Sequence, residues 1–283
     1  MENDIKLTQN ILIEMAKVFH QFCVSHNLKY YMLGGTLLGA VRHGGFIPWD
    51  DDMDFGMPRE DYEKMLSLRH KIDDGFSLKT HKDEKNFGYG FCKMYNENTT
   101  YIEKSLDTYT VGGVFIDIFP IDNIGDDYQK ALALSKKIHR RKRIVSGIFI
   151  RGERKSRSLT IISKFLRLLP KTNRWYEWPF KVVNKYKNKN SKYVTNIYGA
   201  WGDREIVPMT YLGTPKLYNF EETQLYGVEK YDEYLSNIYG DYMTPPPPEK
   251  RIGHSIYYVD FNKPYKQYIA EQKMKNYRED NDK

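Results

Sequence analysis

Three features of the sequence predict a mixed α/β (α+β) chain, a mixed sheet flanked by helices, with a basic helical insertion. Apolar stripes at helical spacing alternate with short β-type runs, glycine pairs and prolines punctuate them, and positive charge is concentrated between 136 and 192. Leu7, Ile11, Leu12, Met15, Val18, Phe19 and Phe22 form one stripe, predicting a helix over 7–25. Tyr30–Leu33 reads as a short strand broken by Gly34-Gly35. Thr36–Val41 then makes one or two helical turns, ended by Gly44-Gly45. Pro48 fixes the chain before an acidic run, Met53–Met57 alternates as a strand, and Arg59–Leu68 resumes a helix. Further strands are expected at 89–95 and 114–119, and a polar-faced helix at 126–145 opens the basic stretch. Later, 220–229 reads as a strand, 231–239 as a helix ended by Gly240, and Pro245–Pro248 as a stiff extended stop. The expected organisation is a core over 1–130, a basic helical insertion over 131–195, and a strand–helix unit over 196–283 that completes the core.

Composition narrows the function classes. A chain of 283 residues that is 40% hydrophobic can bury a sizeable core, which excludes a disordered chain. Its 24 tyrosines suit half-buried sheets and the walls of polar clefts as well as a core. Cys23 and Cys92 sit among apolar residues with no CxxC, so neither a thiolate zinc site nor a disulfide framework is expected, and a reducing compartment is. The opening residues are acidic and lack an apolar run, so no signal peptide is expected. No apolar run is long enough to span a bilayer. Residues 136–192 hold 19 Lys or Arg against Glu153 and Glu177, a net of +17, while the remainder carries −10. Such a stretch attracts a polyanion or an anionic membrane face. Within it, Ile162, Phe165, Leu166 and Leu169 recur at helical spacing, with Lys164 and Arg167 away from that stripe. Arg151, Arg154, Lys155, Arg157, Lys171 and Arg174 flank the stripe, and Trp175 and Trp178 follow. It reads either as an interfacial helix or as a helix packed on the core.

The chemistry concentrates in residues 33–55. Asp50, Asp51, Asp52 and Asp54 repel one another, and such a run is costly unless cations neutralise it. On a strand, Asp52 and Asp54 share a face, an oxygen mount for a hard divalent ion such as Mg2+ or Mn2+. Asp50 and Asp51 are equally consistent with a solvated turn, the reading preferred for Asp51. Asp117, alone among the apolar residues of 114–119, would join them as third ligand or general base, or else pair structurally with Arg42 or Lys93. Gly34-Gly35 after a strand allows backbone N–H groups to approach a phosphate, although neither a P-loop nor a GxGxxG pattern is present.

The order of a Gly-Gly turn, an Asp-x-Asp and a later strand Asp resembles the nucleotidyltransferase superfamily. Residues 35–43 and 45–54, Pro58–Tyr62, Phe115–Asp122 and Tyr239–Met243 followed by Pro246-Pro247 resemble the LicD family more closely, from about 5 to 125 and again from about 200 to 255. That resemblance implies a nucleotidyltransferase-like fold and transfer of phosphocholine from CDP-choline to a surface glycan, either teichoic acid or a lipopolysaccharide or capsule precursor, with release of CMP. Glycerol phosphate, ribitol phosphate or phosphoethanolamine are the alternative cargoes. It further implies Asp52 and Asp54 as metal ligands, Asp117 as ligand or base, and Gly34, Gly35 and Thr36 around a donor phosphate. Lys93 resembles the family's strand lysine. Arg42, His43, Arg251 and His254 are phosphate-binding candidates or structural hydrogen-bonders. A choline group would need an aromatic cage, from Trp49, Trp201 or the tyrosines. The expected partners are a CDP-linked donor, a glycan acceptor presented on a lipid, and a membrane surface touched through 136–192. The expected location is cytoplasmic, at the inner face of the membrane. Nucleic acid is not expected, because the basic stretch shows no RNA-binding aromatic motif or zinc finger and the aspartates would repel a phosphate backbone. A metal-binding scaffold with a dead site is the remaining rival class.

Overall fold

The apolar stripe predicted from Leu7 onward lies on a helix, α1 (Glu2–Ser25), laid across a mixed nine-stranded sheet. The structure is a computed structural model that describes residues 2–73, 75–83, 87, 89–105, 108–149, 161, 164–166, 168–170, 172, 174–187, 189–251 and 256–281. After α1 come β1 (Tyr31–Met32), α2 (Gly34–His43), β2 (Asp54–Pro58) and α3 (Arg59–Leu68). These are followed by β3 (Phe76–Lys79), β4 (Cys92–Asn96), β5 (Thr100–Ser105), β6 (Thr108–Gly112) and β7 (Phe115–Gly125). The basic stretch holds α4 (Tyr128–Phe149) and α5 (Arg174–Glu177). The rest comprises β8 (Tyr193–Asn196), β9 (Ile206–Pro208), α6 (Met209–Leu212), β10 (Lys216–Phe220), β11 (Thr223–Gly227), α7 (Tyr231–Tyr239), β12 (Ile256–Asp260) and α8 (Tyr265–Asn281).

The main sheet runs β10-β11-β1-β2-β7-β4-β3, with β8 and β9 joined to the far end of β7. A second sheet, β12-β5-β6, lies beside it. β7 is the pivot, pairing parallel with β2 and antiparallel with both β4 and β8. The pleat sends successive side chains to opposite faces. Met53, Phe55 and Met57 are therefore fully buried in the core shared with α1 and α3, where the Phe19 and Phe55 rings sit 5.1 Å apart. Asp54 belongs to the other face. A smaller core of Ile124, Ala131, Ile138, Val182 and Val183 anchors both ends of the basic stretch.

Four expectations change. The strand expected over 220–229 is the hairpin β10–β11, turning at Glu221, whose φ is +50°. That unusual backbone is fixed by long-range bonds: Glu221 N–H donates to Gly44 O and its carboxylate accepts from Phe46 N–H. The strand expected from 89 begins at Cys92, and the one expected to end at 119 runs to Gly125 because β8 extends the ladder. Asp51 is not in a solvated turn; it is 5% exposed and accepts a hydrogen bond from Tyr101 Oη at 3.3 Å. Both cysteines are free and buried, and no described helix is long and apolar enough to cross a membrane.

One buried ion pair ties α3 to β7. Arg59 Nε and Nη2 donate to Asp122 Oδ1 and Oδ2 at 2.7 and 2.6 Å, and the guanidinium lies over the Phe180 ring. Removing one partner strands the other charge. Asp122→Ala should cost about 3–5 kcal/mol of unfolding free energy in urea titration, and the double variant Arg59→Met/Asp122→Leu less than that single change. Equal losses would show that the pair carries no buried, uncompensated charge.

Candidate active site

The site is assembled by strand register. On β7, Asp117 is level with Asp54 of β2 on one side and Lys93 of β4 on the other. The junction of β1 and α2 is pinned to the same point: Leu33 N–H donates to Asp54 O, and Asp54 N–H donates to Thr36 Oγ1 at 2.8 Å. Asp117 N–H donates to Met53 O at 2.9 Å, so the backbone carrying both acids is fixed.

Lys93 is 1% exposed. Its ammonium lies 3.1 Å from Asp117 Oδ1 and 3.5 Å from Glu103 Oε2, over the rings of Phe115 and Tyr89. Burial opposes its charge, but Asp117 and Glu103 outweigh burial and the lysine stays protonated. Asp117 is displaced upward. Burial raises its pKa above the ordinary carboxylate range, Lys93 only partly opposes this, and repulsion from Glu103 and Asp52 adds to it. Its Oδ1 is buried and, although in ionic contact with Lys93, has no well-directed hydrogen bond. The one ammonium of Lys93 thus faces two carboxylates, Asp117 and Glu103.

Asp52, Asp54 and Asp117 line one cleft of about 220 Å³ together with Gly34. Its other walls are aromatic: Phe91, Tyr198, Trp201 and Tyr239, with the Trp201 and Tyr239 rings edge to face at 4.9 Å. Glu205 also lines it. Burial pushes Glu205 up to about 7, against the hydrogen bond it accepts from Trp201 N–H.

The all-oxygen donor set and the under-bonded Asp117 oxygen fit a hard divalent ion. Among the described residues, however, no three His, Cys, Asp or Glu side chains form a ready-made metal cluster. The side chains therefore fit an ion held by one or two carboxylates, with water and substrate phosphate completing its shell, as Mg2+ prefers.

The other expected residues divide. Gly34 has φ +51°, a left-handed conformation that opens α2. At Gly35 an added Cβ would lie 2.8 Å from Asp50 Oδ2, so this glycine lets the carboxylate approach the start of the helix. Arg42 and His43 do not line the cleft. Arg42 donates to Tyr242 O and to His43 Nε2. Arg251 lies over the Trp49 ring and donates to Pro246 O. His254 lies outside the described residues. Sequence reasoning missed Glu103, Tyr89 and Glu205. Only Glu103 carried a signal, as an acid alternating with Tyr101 and Ile102. A separate cavity of about 250 Å³ beside Arg59 offers no comparable charge, because its acids Glu63, Asp122 and Glu177 pair with Lys187, Arg59 and Lys82.

Two outcomes follow from this geometry. A folded-state pKa above the unfolded value means that ionising Asp117 costs stability as pH rises from the ordinary carboxylate range toward its raised folded value. In divalent-free buffer, Asp117→Asn should gain stability relative to the wild type from pH 5 toward neutrality, by up to about 1.4 kcal/mol per pH unit in urea titrations. A pH-independent difference would contradict the raised proton affinity of Asp117. Gly35→Ala should lower turnover on the order of 100-fold through displacement of the facing carboxylate, with the folded CD spectrum kept.

Residues 27–151, which contain these acids and the glycine turn, match the family model described as LicD/FKTN/FKRP, nucleotidyltransferase domain. Over 256 residues, 88% of this chain and 94% of the relative, the sequence is 27% identical to lipopolysaccharide cholinephosphotransferase LicD of Haemophilus influenzae. It is 38% identical over 78 residues to ribitol 5-phosphate transferase FKRP of Mus musculus, covering 25% of this chain and 15% of that protein. It is 50% identical over 83 residues to an uncharacterized protein of Rickettsia prowazekii, covering 29% of each. The carboxylate face thus lies inside the matched domain, and the likeness to the Haemophilus protein spans most of both chains.

Proposed function

We propose that this LicD-type phosphotransferase moves phosphocholine from CDP-choline to a hydroxyl of a cell-surface glycan and releases CMP. The observation that carries the reading is the pairing, in one cleft, of the Asp52–Asp54–Asp117 face with walls of Phe91, Tyr198, Trp201 and Tyr239. Aromatic faces attract a quaternary ammonium, and nearby carboxylates add to that attraction. The likeness to the Haemophilus cholinephosphotransferase supports the same cargo, and the shorter likeness to the ribitol 5-phosphate transferase keeps polyol phosphates as the alternative.

In this reading an acceptor oxygen attacks the phosphorus of the phosphocholine group, and the bond to the CMP oxygen breaks with its electron pair. The hydroxyl proton passes to a carboxylate. Asp117 suits this role because burial raises its proton affinity. Lys93, kept protonated, holds Asp117 in place and adds positive charge beside the transferring group. Asp52 and Asp54 are the residues that would hold Mg2+ or Mn2+, with Asp117 as a further ligand where it does not serve as base, and the ion when bound would neutralise charge on the donor diphosphate. Gly34, which opens α2, lines the same cleft, and in this reading its backbone and that of Gly35 and Thr36 would approach a donor phosphate. The acceptor is a teichoic acid or a lipopolysaccharide or capsule precursor.

The test offers CDP-choline, CDP-ethanolamine, CDP-glycerol and CDP-ribitol to the purified protein with Mg2+, with Mn2+ or with EDTA, and follows CMP release. CDP-choline should turn over with a divalent ion and stop in EDTA. Asp54→Asn should lose on the order of 100- to 1000-fold in kcat while remaining folded. Trp201→Ala should raise KM for CDP-choline about tenfold, the scale of one lost cation–π contact. Turnover of CDP-glycerol or CDP-ribitol alone would overturn the choline assignment, and full activity in Asp54→Asn would overturn the carboxylate mechanism.

A further inference from the structure

The apolar stripe within the basic stretch admits a helix packed on the core or one lying in a membrane interface. The described residues discriminate between them. Leu166 is turned inward against Gly147 of α4, where an added Cβ would meet its Cδ1 at 2.8 Å. Its neighbours are not: Ile161 is 56% exposed, Phe165 69% and Leu168 80%, with Leu169 partly exposed beside them. Leu166 therefore seats the segment on α4, and the other described apolar side chains are offered to solvent; Ile162 lies outside the described residues.

The ground around this patch is built rather than incidental. Trp175 Nε1 donates to Pro170 O at 2.8 Å, directly after the leucines. Trp175 and Trp178 stand edge to face at 5.9 Å, and Trp178 is held by Arg141, which stacks on its ring and donates to its carbonyl. An open hollow of about 340 Å³ lies over these two tryptophans, rimmed by Arg174 and Lys181. Lys164, Arg174 and Lys181 are exposed, and the surrounding stretch carries 19 basic residues against two acids. Of those two, Glu177 is near Lys82 at 3.8 Å, and Glu153 lies outside the described residues.

We infer that this patch, Ile161, Phe165, Leu168 and Leu169 with Trp175 and a ring of Lys and Arg, docks the protein on an anionic lipid bilayer. Exposed aliphatic and aromatic side chains insert at the headgroup boundary, tryptophans suit that depth, and cations bind the lipid phosphates. The contact is peripheral, as no described helix can span the bilayer. A second copy of the chain is the poorer occupant, since a two-fold contact would set the +17 stretch against itself. Nucleic acid would answer the charge but leave the aliphatic side chains in water. The inference concerns where the protein sits and stands whichever CDP-linked donor it uses.

Vesicle co-sedimentation of the full chain tests it, with phosphatidylcholine alone and phosphatidylcholine mixed with phosphatidylglycerol. Binding is expected to the anionic vesicles and not to the neutral ones, to weaken with added salt, and to fall about tenfold or more in Phe165→Asp/Leu168→Asp. The double variant should keep its CD spectrum and its vesicle-free CMP release, which separates loss of docking from loss of fold or of the transferase reading. Lys164→Gln/Arg174→Gln should weaken binding to anionic vesicles without touching the apolar patch. Absence of binding to anionic vesicles overturns the inference. So does equal binding by the wild type and the double variant. Concentration-dependent dimerisation abolished by the double variant would instead assign the patch to a second copy and likewise overturn it.

Discussion

The charge inequality around Lys93 constrains the site more than any other contact. An ammonium at 1% exposure is tolerated only where anions compensate its lost hydration, and here both Asp117 and Glu103 do so. The compensation overshoots. Two carboxylates face the one ammonium, and Asp117, desolvated and repelled by Glu103 and Asp52, retains a high affinity for a proton. The second anion beside the ammonium is why Lys93 only partly offsets the cost of burying Asp117. This arrangement arises from three backbone facts: Asp54 and Lys93 are level with Asp117 on either side of β7, and Glu103 comes from the neighbouring sheet.

The contrast with Arg59 and Asp122 clarifies why the charge excess points to function. That pair is equally removed from water, but it is balanced one to one with two directed hydrogen bonds and aromatic cover. A closed pair of this kind holds α3 to β7 and has nothing left to offer a ligand. The two clusters sit five residues apart on the same strand and on opposite faces of the sheet, so β7 carries a structural lock on one face and an open anionic site on the other.

Much of this was legible in the sequence, and the limits have physical reasons. The face shared by Asp52 and Asp54 follows from the two-residue pleat, and the apolar setting of Asp117 marked it as an acid requiring a partner. α1, α3 and α7 were legible because local periodicity specifies a helix. Long-range pairing was not. The hairpin β10–β11 reads as one apolar run because Glu221 turns only where Gly44 and Phe46 hold it, and β7 continues past Phe119 only because β8 is there to pair with it. Asp51 read as solvent-facing because nothing local shows that Tyr101 lies fifty residues away to cover it. Glu205 lacked any local signal. Its environment is made by the cleft it lines. In the basic stretch, charge and periodicity gave two readings, and only the exposure of Phe165 and Leu168 in the fold separates them.

The division of labour along the chain bears on how the cargo is chosen. The acids, Lys93 and the glycine turn all fall within residues 27–151, the region matched by the family model. Tyr198, Trp201, Glu205 and Tyr239, which face those acids across the cleft, fall outside it. The carboxylate face and most of the aromatic wall opposite it therefore come from different parts of the sequence, Phe91 being the aromatic residue contributed by the matched region. The likeness to the ribitol 5-phosphate transferase covers only 25% of this chain, whereas that to the cholinephosphotransferase covers 88%. Aromatic side chains on that wall favour a soft, poorly hydrated cation over a polyol, which would require a row of hydrogen-bonding groups in their place. In the proposed reading, the choice of cargo rests less on the aspartates of residues 27–151 than on Tyr198, Trp201 and Tyr239, which line the cleft from the segment after β8 and from α7.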